Sequence, residues 1–260
     1  MKLIKTDAHG NDFLIVARQE IPEGTDWPAL ARRVCNRDGG RGADGLLIVE
    51  ETPTGARMQL RNADGSYSEV SGNGVRCIGA WLASRRNLAV GAALRIETDA
   101  GPKDLTLVAE DGRRCTFRAS MGAPTMIERL CLDVAGEAVD LVTLSMGNPQ
   151  CVVIGPATEE RLQRLGSRLA VHPHFPQGTN VELVEVHSPA DVRVLIWERG
   201  VGPTASSGTG TCASAVAAAA FAGAERVCDV TAPGGTQHVE WLNQGVWLTG
   251  WAEVVEEIAV

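Results

Sequence analysis

Short runs of alternating apolar and polar residues recur along the chain and predict β-strands. The runs are rich in β-branched side chains, and glycine, asparagine, aspartate and proline separate them, as is typical of strands joined by turns. In the first half the predicted strands are Phe13–Val16, Leu46–Val49, Met58–Leu60, Leu94–Thr98 and Leu105–Val108. In the second half they are Leu141–Ser145, Cys151–Ile154, Asn180–Val184 and Val192–Trp197.

Four segments have the character of helices. Two are amphipathic, and two are rich in alanine and other small residues that allow a helix to form. The amphipathic pair is Asp26–Cys35 and Glu159–Leu169, and the small-residue pair is Gly74–Arg86 and Gly210–Phe221. Each half therefore runs from strands to a glycine turn and a helix, and then to further strands.

This repeated order predicts an internal duplication at the level of architecture. A break near Ser120-Met121-Gly122-Ala123-Pro124 divides the two halves. The last strand, near Gly250–Ile258, is placed to return to the first half and close its sheet. We therefore expect one half to comprise residues 1–122 and 250–260, and the other to comprise residues 123–249.

Composition narrows the classes of function. The 260 residues carry a formal charge of −8, from 24 basic and 32 acidic side chains. Without a basic block, this charge disfavours nucleic acid or an anionic membrane as a partner, and no apolar run approaches the roughly 20 residues of a membrane span. The first nine residues predict a strand and not a signal peptide.

The cysteines and histidines point to a reduced protein without a metal. Seven cysteines, an odd number without CxxC pairing, favour a cytoplasmic protein over a disulfide framework or a zinc site. His172 and His174 are close in sequence, but nothing nearby completes a ligand set, so we expect no metal.

Two glycine-rich windows carry the most specific chemistry. They are Ser71-Gly72-Asn73-Gly74-Val75-Arg76-Cys77 and Ser206-Ser207-Gly208-Thr209-Gly210-Thr211-Cys212. In each window a hydroxyl side chain and glycines precede a helix, and the N-terminus of a helix attracts anions. Two such turns, half a chain apart, predict two helix ends directed at anionic groups of one ligand.

Asparagines recur in turns at the ends of the predicted strands. They are Asn11, Asn62, Asn148 and Asn180. Taken singly, each is explained by turn chemistry, because asparagine tolerates left-handed backbone conformations. Beside the two glycine windows they favour a shared polar site, since amides both donate and accept hydrogen bonds and so suit a zwitterion.

With these motifs in this order, the sequence resembles the diaminopimelate epimerase family over essentially its whole length. The motifs that carry the resemblance are Gly10-Asn11-Asp12-Phe13, Gly42-Ala43-Asp44-Gly45-Leu46-Leu47, Asn62-Ala63-Asp64-Gly65, Gly72-Asn73-Gly74-Val75-Arg76-Cys77, Gly147-Asn148-Pro149, Thr179-Asn180-Val181, Glu198-Arg199-Gly200-Val201-Gly202 and Gly208-Thr209-Gly210.

The resemblance implies a duplicated α/β (α+β) fold, with two pseudo-symmetric halves that each wrap a sheet around a central helix and a substrate site in the cleft between them. It also implies a homodimer and a cofactor-free mechanism, in which two cysteines face each other across the α-carbon of a small diamino acid. The backbone of Gly72-Asn73 or Gly208-Thr209 would hold the α-carboxylate. The side chains implied to hold the charged groups of the substrate are Asn11, Asn62, Asn148, Asn180, Glu198 and Arg199.

The sequence departs from the family pattern at three catalytic positions. Ser71 and Ser207 stand at the two cysteine positions, and Gln150 stands where the family has a histidine. A free thiol has a pKa near ~8.5 that a helix N-terminus lowers, whereas an aliphatic hydroxyl is weaker by several units, each worth about 1.4 kcal/mol. Gln150 does not titrate, which leaves Glu198 as the ionisable base of the implied set, or else as an ion-pair partner of a neighbour or of the substrate ammonium.

The leading interpretation is conversion of LL-2,6-diaminopimelate to the meso form in lysine biosynthesis, with activity reduced or altered by Ser71 and Ser207. The alternatives are a lyase that works on one face with Glu198 as base, a racemase for another amino acid, or an amino-acid binder without turnover. The serines are either natural or introduced into a cysteine enzyme. Cys77 and Cys212 lie on the following helices, and we expect both to pack in the core.

Overall fold

The computed structural model describes residues 1–259 and divides into two compact units. Unit 1 consists of Met1–Ser120 together with the chain from Thr249 onward, and unit 2 is Met121–Leu248. Within residues 1–259 the chain forms four α-helices, one short 3-10 helix at Arg18–Glu20 and seventeen strands. None of these helices combines the length and apolar character that a membrane span requires.

The elements follow one another in two similar series. The strands that begin in unit 1 are β1 (Lys2–Ala8), β2 (Asn11–Ala17), β3 (Gly45–Thr52), β4 (Gly55–Asn62), β5 (Tyr67–Ser68), β6 (Ala93–Glu97), β7 (Lys103–Asp111) and β8 (Arg114–Gly122). Those that begin in unit 2 are β9 (Thr125–Val134), β10 (Glu137–Ser145), β11 (Pro149–Ile154), β12 (Asn180–Ser188), β13 (Asp191–Glu198), β14 (Gly202–Thr204), β15 (Val227–Ala232), β16 (Gly235–Leu242) and β17 (Gly245–Ala259). The helices are α1 (Trp27–Cys35), α2 (Gly72–Arg86), α3 (Glu159–Leu169) and α4 (Gly208–Phe221).

The pairing of strands repeats between the units. In unit 1, β1 and β2 are antiparallel, β2 and β3 parallel, β3 and β4 antiparallel, β4 and β6 parallel, and β6 and β7 antiparallel. In unit 2 the same directions recur for β10–β11, β11–β12, β12–β13, β13–β15 and β15–β16. In unit 1, β17 pairs antiparallel with β1. The predicted α/β (α+β) class with a duplicated architecture is confirmed.

Each unit buries one central helix on all sides. Every residue is buried from Gly72 to Ala83 of α2 and from Gly208 to Ala218 of α4. The alanines and glycines of both helices suit such a position, and the buried polar side chains of Asn73 and Arg76 in α2 are held there by hydrogen bonds. Cys77 in α2 and Cys212 in α4 are completely buried, as predicted. By contrast, α3 buries one face, through Leu162, Leu165, Gly166 and Leu169.

Both central helices begin two residues earlier than the sequence predicts, at Gly72 and Gly208. The reason is helix capping. The hydroxyls of Ser71 and Ser207 each accept a hydrogen bond from the backbone N–H three residues later, at 3.0 and 3.3 Å respectively. A serine with extended backbone at this position satisfies an amide that the first helical turn leaves without an intrahelical acceptor.

Candidate functional site

The first turn of α2 places the Ser71 hydroxyl beside the backbone amides of that turn. Ser71 is partly buried and caps the helix through the N–H of Gly74. A Cβ built on Gly74 would lie 3.1 Å from Leu47 Cδ2 and 3.2 Å from Ser71 Cβ, so glycine lets β3 and the turn approach closely. The amides of Gly72 and Asn73 complete a turn suited to an anion.

Asn11 and Asn73 are joined in a buried network. The Asn73 side-chain amide donates to Asn11 Oδ1 at 3.1 Å, and the Asn11 amide donates to Asp44 Oδ2 at 2.6 Å. The fully buried guanidinium of Arg76 donates to Asn73 Oδ1. The structure therefore brings two predicted residues together and adds Asp44 and Arg76, which the sequence motifs contained but which had not been singled out.

Four charged side chains form ion pairs around the start of β2: Lys5, Asp12, Arg37 and Asp44. Asp12 is bridged by Lys5 at 2.5 Å and by Arg37 at 2.9 Å, and Arg37 also reaches Asp44 at 2.8 Å. Burial works to raise the pKa of Asp12, but the hydrogen bonds from Arg37 and Lys5 outweigh it and lower that pKa. Burial, followed by the charge of Asp12, raises the pKa of Asp44. The ion pair of Lys5 on β1 with Asp12 on β2 joins the two strands next to Asn11 and so restricts the position of Asn11.

Asn62 lies in a tight turn at the end of β4. The side-chain amide of Asn62 donates to Ser66 Oγ at 3.0 Å, and the backbone carbonyl of Asn62 accepts from the backbone N–H of Gly65 at 2.9 Å. Gly65 has φ +85°, a conformation that glycine adopts without strain. These contacts are turn chemistry, and they do not join Asn62 to the network of Asn11 and Asn73.

The first turn of α4 repeats this arrangement in unit 2. Ser207 is 3% exposed and caps the helix. The side chain of Asn148, which directly precedes β11, donates to Thr209 Oγ1 at 3.3 Å. Gln150 donates to Asn148 Oδ1 at 2.6 Å, and its own Oε1 is buried without a hydrogen-bond partner among residues 1–259. The asparagine, the glutamine and the helix turn are therefore held as one polar group.

Asn180 and Arg199 meet where β12 begins and β13 ends. The Asn180 side-chain oxygen accepts from the backbone N–H of Arg199 at 2.9 Å. The Arg199 guanidinium donates to the Gln177 carbonyl at 3.0 Å, and its stem packs on Gly178. Asn180 lies beside Gln150 in the parallel register of β11 and β12. The second unit thus collects most of the predicted polar side chains along one edge.

Glu182 is a site residue that the sequence interpretation missed. Its side chain is completely buried on β12, and neither carboxyl oxygen has a hydrogen-bond partner within the described chain. Burial raises its pKa well above the ordinary value, and the charge of Glu198 raises it further, whereas the nearby N–H of Cys151 has the opposite and smaller effect. The available signal was an acidic residue placed among Val181, Leu183 and Val184, in the stretch of β12 before Glu185.

Comparison with known proteins identifies the family. A model of the family described as diaminopimelate epimerase matches residues 3–127 and 142–255. The chain belongs to this family. A diaminopimelate epimerase of Desulforudis audaxviator is 42% identical over 278 residues, covering 98% of this chain and 97% of that protein. The diaminopimelate epimerase of Desulfitobacterium hafniense is 36% identical over 276 residues, covering 98% and 96%.

Solved structures share the fold of this diaminopimelate epimerase family member at much lower identity. A probable proline racemase from Agrobacterium radiobacter K84 matches with a TM-score of 0.77 and 17% identity, covering 100% of this chain and 92% of that one. A hydroxyproline epimerase from Agrobacterium vitis matches with a TM-score of 0.75 and 15% identity, covering 100% and 90%. The duplicated architecture is therefore shared well beyond the diaminopimelate epimerases.

The thiols of this diaminopimelate epimerase family member are mostly inaccessible. Of the seven free cysteines, six are buried and Cys131 is exposed. Burial raises the pKa of the Cys35 and Cys77 thiols to about 12 and that of Cys151 well above its ordinary value. A buried, protonated thiol is a poor base and nucleophile.

Within residues 1–259, no group of three or more histidine, cysteine, aspartate or glutamate side chains is placed so that it could hold a metal ion.

Proposed function

We propose that this protein is a cofactor-independent isomerase that converts LL-2,6-diaminopimelate to meso-diaminopimelate, a step of lysine biosynthesis. The observation that carries this proposal is the match to proteins named diaminopimelate epimerase, at 36–42% identity over 98% of the chain. The substrate is a small diamino acid whose charged groups suit the amide and carboxylate side chains gathered in each unit.

In this proposal each half, residues 1–122 with 250–260 and residues 123–249, contributes one serine and one helix turn to substrate binding. Ser71 and Ser207 occupy the positions of the two family cysteines, on opposite faces of the α-carbon. The α-carboxylate is held by amides of the first helical turns, at Gly72 and Asn73 or at Gly208 and Thr209. This assignment is supported by the capped, glycine-rich turn that begins each central helix.

The side chains proposed to hold the remaining charged groups surround these turns. Glu198 pairs with a substrate ammonium, Arg199 with a carboxylate, and Gln150 orients its neighbours without carrying a proton. The asparagines complete the set at Asn11, Asn62, Asn148 and Asn180. Support comes from the hydrogen bonds that tie Asn11, Asn148 and Asn180 to the helix turns or to Arg199.

Serine in place of cysteine sets the expected rate. The serine that removes the α-proton must first lose its own hydroxyl proton, while the serine on the other face donates one. A hydroxyl is several pKa units weaker as an acid than a thiol, and each unit is about 1.4 kcal/mol. A helix N-terminus returns only about 0.3–1 kcal/mol to a nearby negative charge. The deficit is larger than the gain, so we expect slow turnover.

Chiral chromatography of the products tests the proposal. Incubation with LL-diaminopimelate should yield the meso form slowly with the wild-type protein and much faster with the double variant Ser71→Cys/Ser207→Cys. The matched control is Ser71→Ala/Ser207→Ala, which should be inactive because neither face retains a proton carrier. If the double cysteine variant folds, binds the substrate and forms no meso product, the assignment is wrong.

Binding without turnover is the second candidate function. One observation favours it: both hydroxyls cap their helices, and neither is hydrogen-bonded to a carboxylate or an imidazole among residues 1–259. This function predicts that calorimetry detects LL-diaminopimelate binding to the wild-type protein while no product forms. A lyase that uses Glu198 as base would instead eliminate ammonia and leave an unsaturated product, which the same chromatography separates from the diaminopimelate isomers.

We further propose that the protein acts as a cytoplasmic homodimer without a metal or an organic cofactor. The free thiols support a reducing compartment. Analytical ultracentrifugation tests the dimer, and activity after exhaustive chelation tests the absence of a metal. A monomeric active protein, or activity lost on chelation and restored by a metal ion, would contradict this part of the proposal.

A further inference from the structure

The buried carboxyl of Glu182 lies beneath the first turn of α4, next to the serine that caps it. A Cβ built on Gly210 would lie 2.8 Å from Glu182 Oε1 and 3.3 Å from Ser207 Cβ. The carboxyl and the serine therefore flank the same side of one glycine. The carboxyl is completely buried and makes no hydrogen bond with any part of the described chain.

The duplication supplies an internal comparison for this position. Leu47 is the third residue of β3, as Glu182 is the third residue of β12. Leu47 lies beside Ile15 in parallel register, and Glu182 lies beside Val152. Leu47 also approaches the first turn of its own helix, 3.1 Å from a Cβ built on Gly74. The architecture thus accepts leucine here, and packing does not require a carboxyl.

The groups around Glu182 favour its neutral form. Glu198 faces it from β13 and raises its pKa after burial has done so. Cys151, on β11, contributes a buried neutral thiol and a backbone N–H, and the first turn of α4 carries no acidic or basic side chain. The buried leucines of α3 pack with Val181 and Leu183, which point to the opposite face of β12 from Glu182. No cation among these neighbours holds the proton off the carboxyl.

We propose that Glu182 is a positioning residue that stores a proton behind Ser207 and exchanges it with the Ser207 hydroxyl during turnover. This inference rests on the proposed epimerase function. It accounts for a proton carrier on the second face in a chain that has serine and glutamine where the family has cysteine and histidine. Unit 1 has no such carrier at Leu47, so the two faces are unequal.

The proton transfers balance with solvent water as the only further participant. As the Ser207 O–H bond breaks and a new Cα–H bond forms, the Glu182 O–H bond breaks and a new Ser207 O–H bond forms. The negative charge that the α-carbon carried ends on the Glu182 carboxylate, at the positive end of the α4 dipole. Solvent then returns to the carboxylate the proton that Ser71 gave up to solvent before it removed the α-proton, so the cycle has no net gain or loss of protons. Ser207 leaves its capping bond to make this exchange, because the two side chains are not hydrogen-bonded in the resting structure.

Carbon-13 NMR of protein labelled at the glutamate carboxyl carbons tests the inference without depending on activity. Glu182→Gln assigns the resonance, which we expect at the position of a protonated acid at neutral pH. Ser207→Ala should move its titration midpoint by about half a pH unit or more, because the carboxyl loses the neighbouring hydroxyl with which it is proposed to exchange its proton. The matched control Ser71→Ala, in the other unit, should leave it unchanged. An ionised resonance at neutral pH, or a midpoint that ignores Ser207→Ala, overturns the proposal.

Kinetics then separate a positioning role from a structural one. Glu182→Gln and Glu182→Leu should each lower kcat by at least about tenfold with little change in KM, and should remove a limb of the pH profile. Glu182→Asp should restore part of kcat. Wild-type kinetics in the folded variants would overturn the proposal. If the wild-type protein does not act on diaminopimelate at all, the epimerase assignment fails, and the NMR result still decides whether Glu182 shares a proton with Ser207.

Discussion

Replacing Glu182 by glutamine should remove a pH dependence from the stability of the fold. The variant keeps the shape of the side chain and loses its ability to ionise. In the wild-type protein the carboxyl is fully buried without a hydrogen-bond partner in residues 1–259, so ionisation inside the fold is strongly disfavoured. Glutamine faces a similar desolvation cost at every pH, whereas glutamate faces a cost that depends on pH.

The sign and the size follow from the raised pKa. Burial and Glu198 raise the folded-state pKa of Glu182, while in the unfolded chain the carboxyl titrates near ~4.3. Below the unfolded value both states hold the proton, and the stability that goes with it is fully present. As the pH rises toward the folded value, the unfolded chain loses its proton and the fold keeps its own, so the free energy of unfolding falls by about 1.4 kcal/mol per pH unit.

Urea unfolding followed by tryptophan fluorescence measures this difference. Subtracting wild type from Glu182→Gln cancels the groups that the two proteins share, and between about pH 5 and pH 7 the difference should grow by about 1.4 kcal/mol per unit up to the folded pKa. Glu128→Gln is the matched control, because Glu128 is exposed on β9 of the same unit. A difference that stays constant with pH would show that Glu182 is ionised in the fold and would refute the reasoning.

Three further predictions concern the buried polar network, the caps and the thiols. Asn73→Ala removes bonds to Asn11 and Arg76 and should lower the free energy of unfolding by about 2–3 kcal/mol in denaturant titration, with a negligible loss contradicting the network. Ser71→Ala should lower the free energy of unfolding, measured by thermal unfolding, by about 1 kcal/mol, because the helix cap is lost. Ser71→Asp should keep the stability, since aspartate also caps a helix. Equal losses of stability in the two variants would argue against capping. Native protein should react quickly with one equivalent of a thiol reagent, at Cys131, and several fast thiols would contradict the burial of the other six.

Local sequence patterns predicted most of the elements, because period and turn chemistry act over a few residues. The leucine spacing of α3 and the alternation at the start of β13 are visible in isolation. The starts of α2 and α4 were predicted two residues late, because the glycines at these positions are typical of turns. The capping hydrogen bonds of Ser71 and Ser207, which make Gly72 and Gly208 helical, are seen only in the structure. The parallel pairing of β4 with β6 joins segments separated by a helix, which no local pattern encodes.

The candidate site was only partly predictable for the same reason. Asn11 and Asn148 stood out through their motifs, and the structure ties each to the first turn of a central helix. Glu182 did not stand out, because one acidic residue in a strand normally marks a solvent-facing position. It is buried because α4 covers that face of β12, a tertiary contact that the local sequence does not encode. Asp44 gains its importance from Arg37 and Asn11, which reach it across a loop and a neighbouring strand.

The most direct test of the proposed function is proton NMR of LL-diaminopimelate incubated with the wild-type protein in deuterium oxide. Epimerisation by Ser71 and Ser207 predicts slow loss of the α-proton signal together with meso product that carries deuterium at the inverted carbon. With the Ser71→Ala/Ser207→Ala protein the α-proton signal should stay unchanged and no meso product should form. Binding of the substrate with no deuterium incorporation, under conditions where the Ser71→Cys/Ser207→Cys protein exchanges fully, would contradict the claim that this chain moves the α-proton.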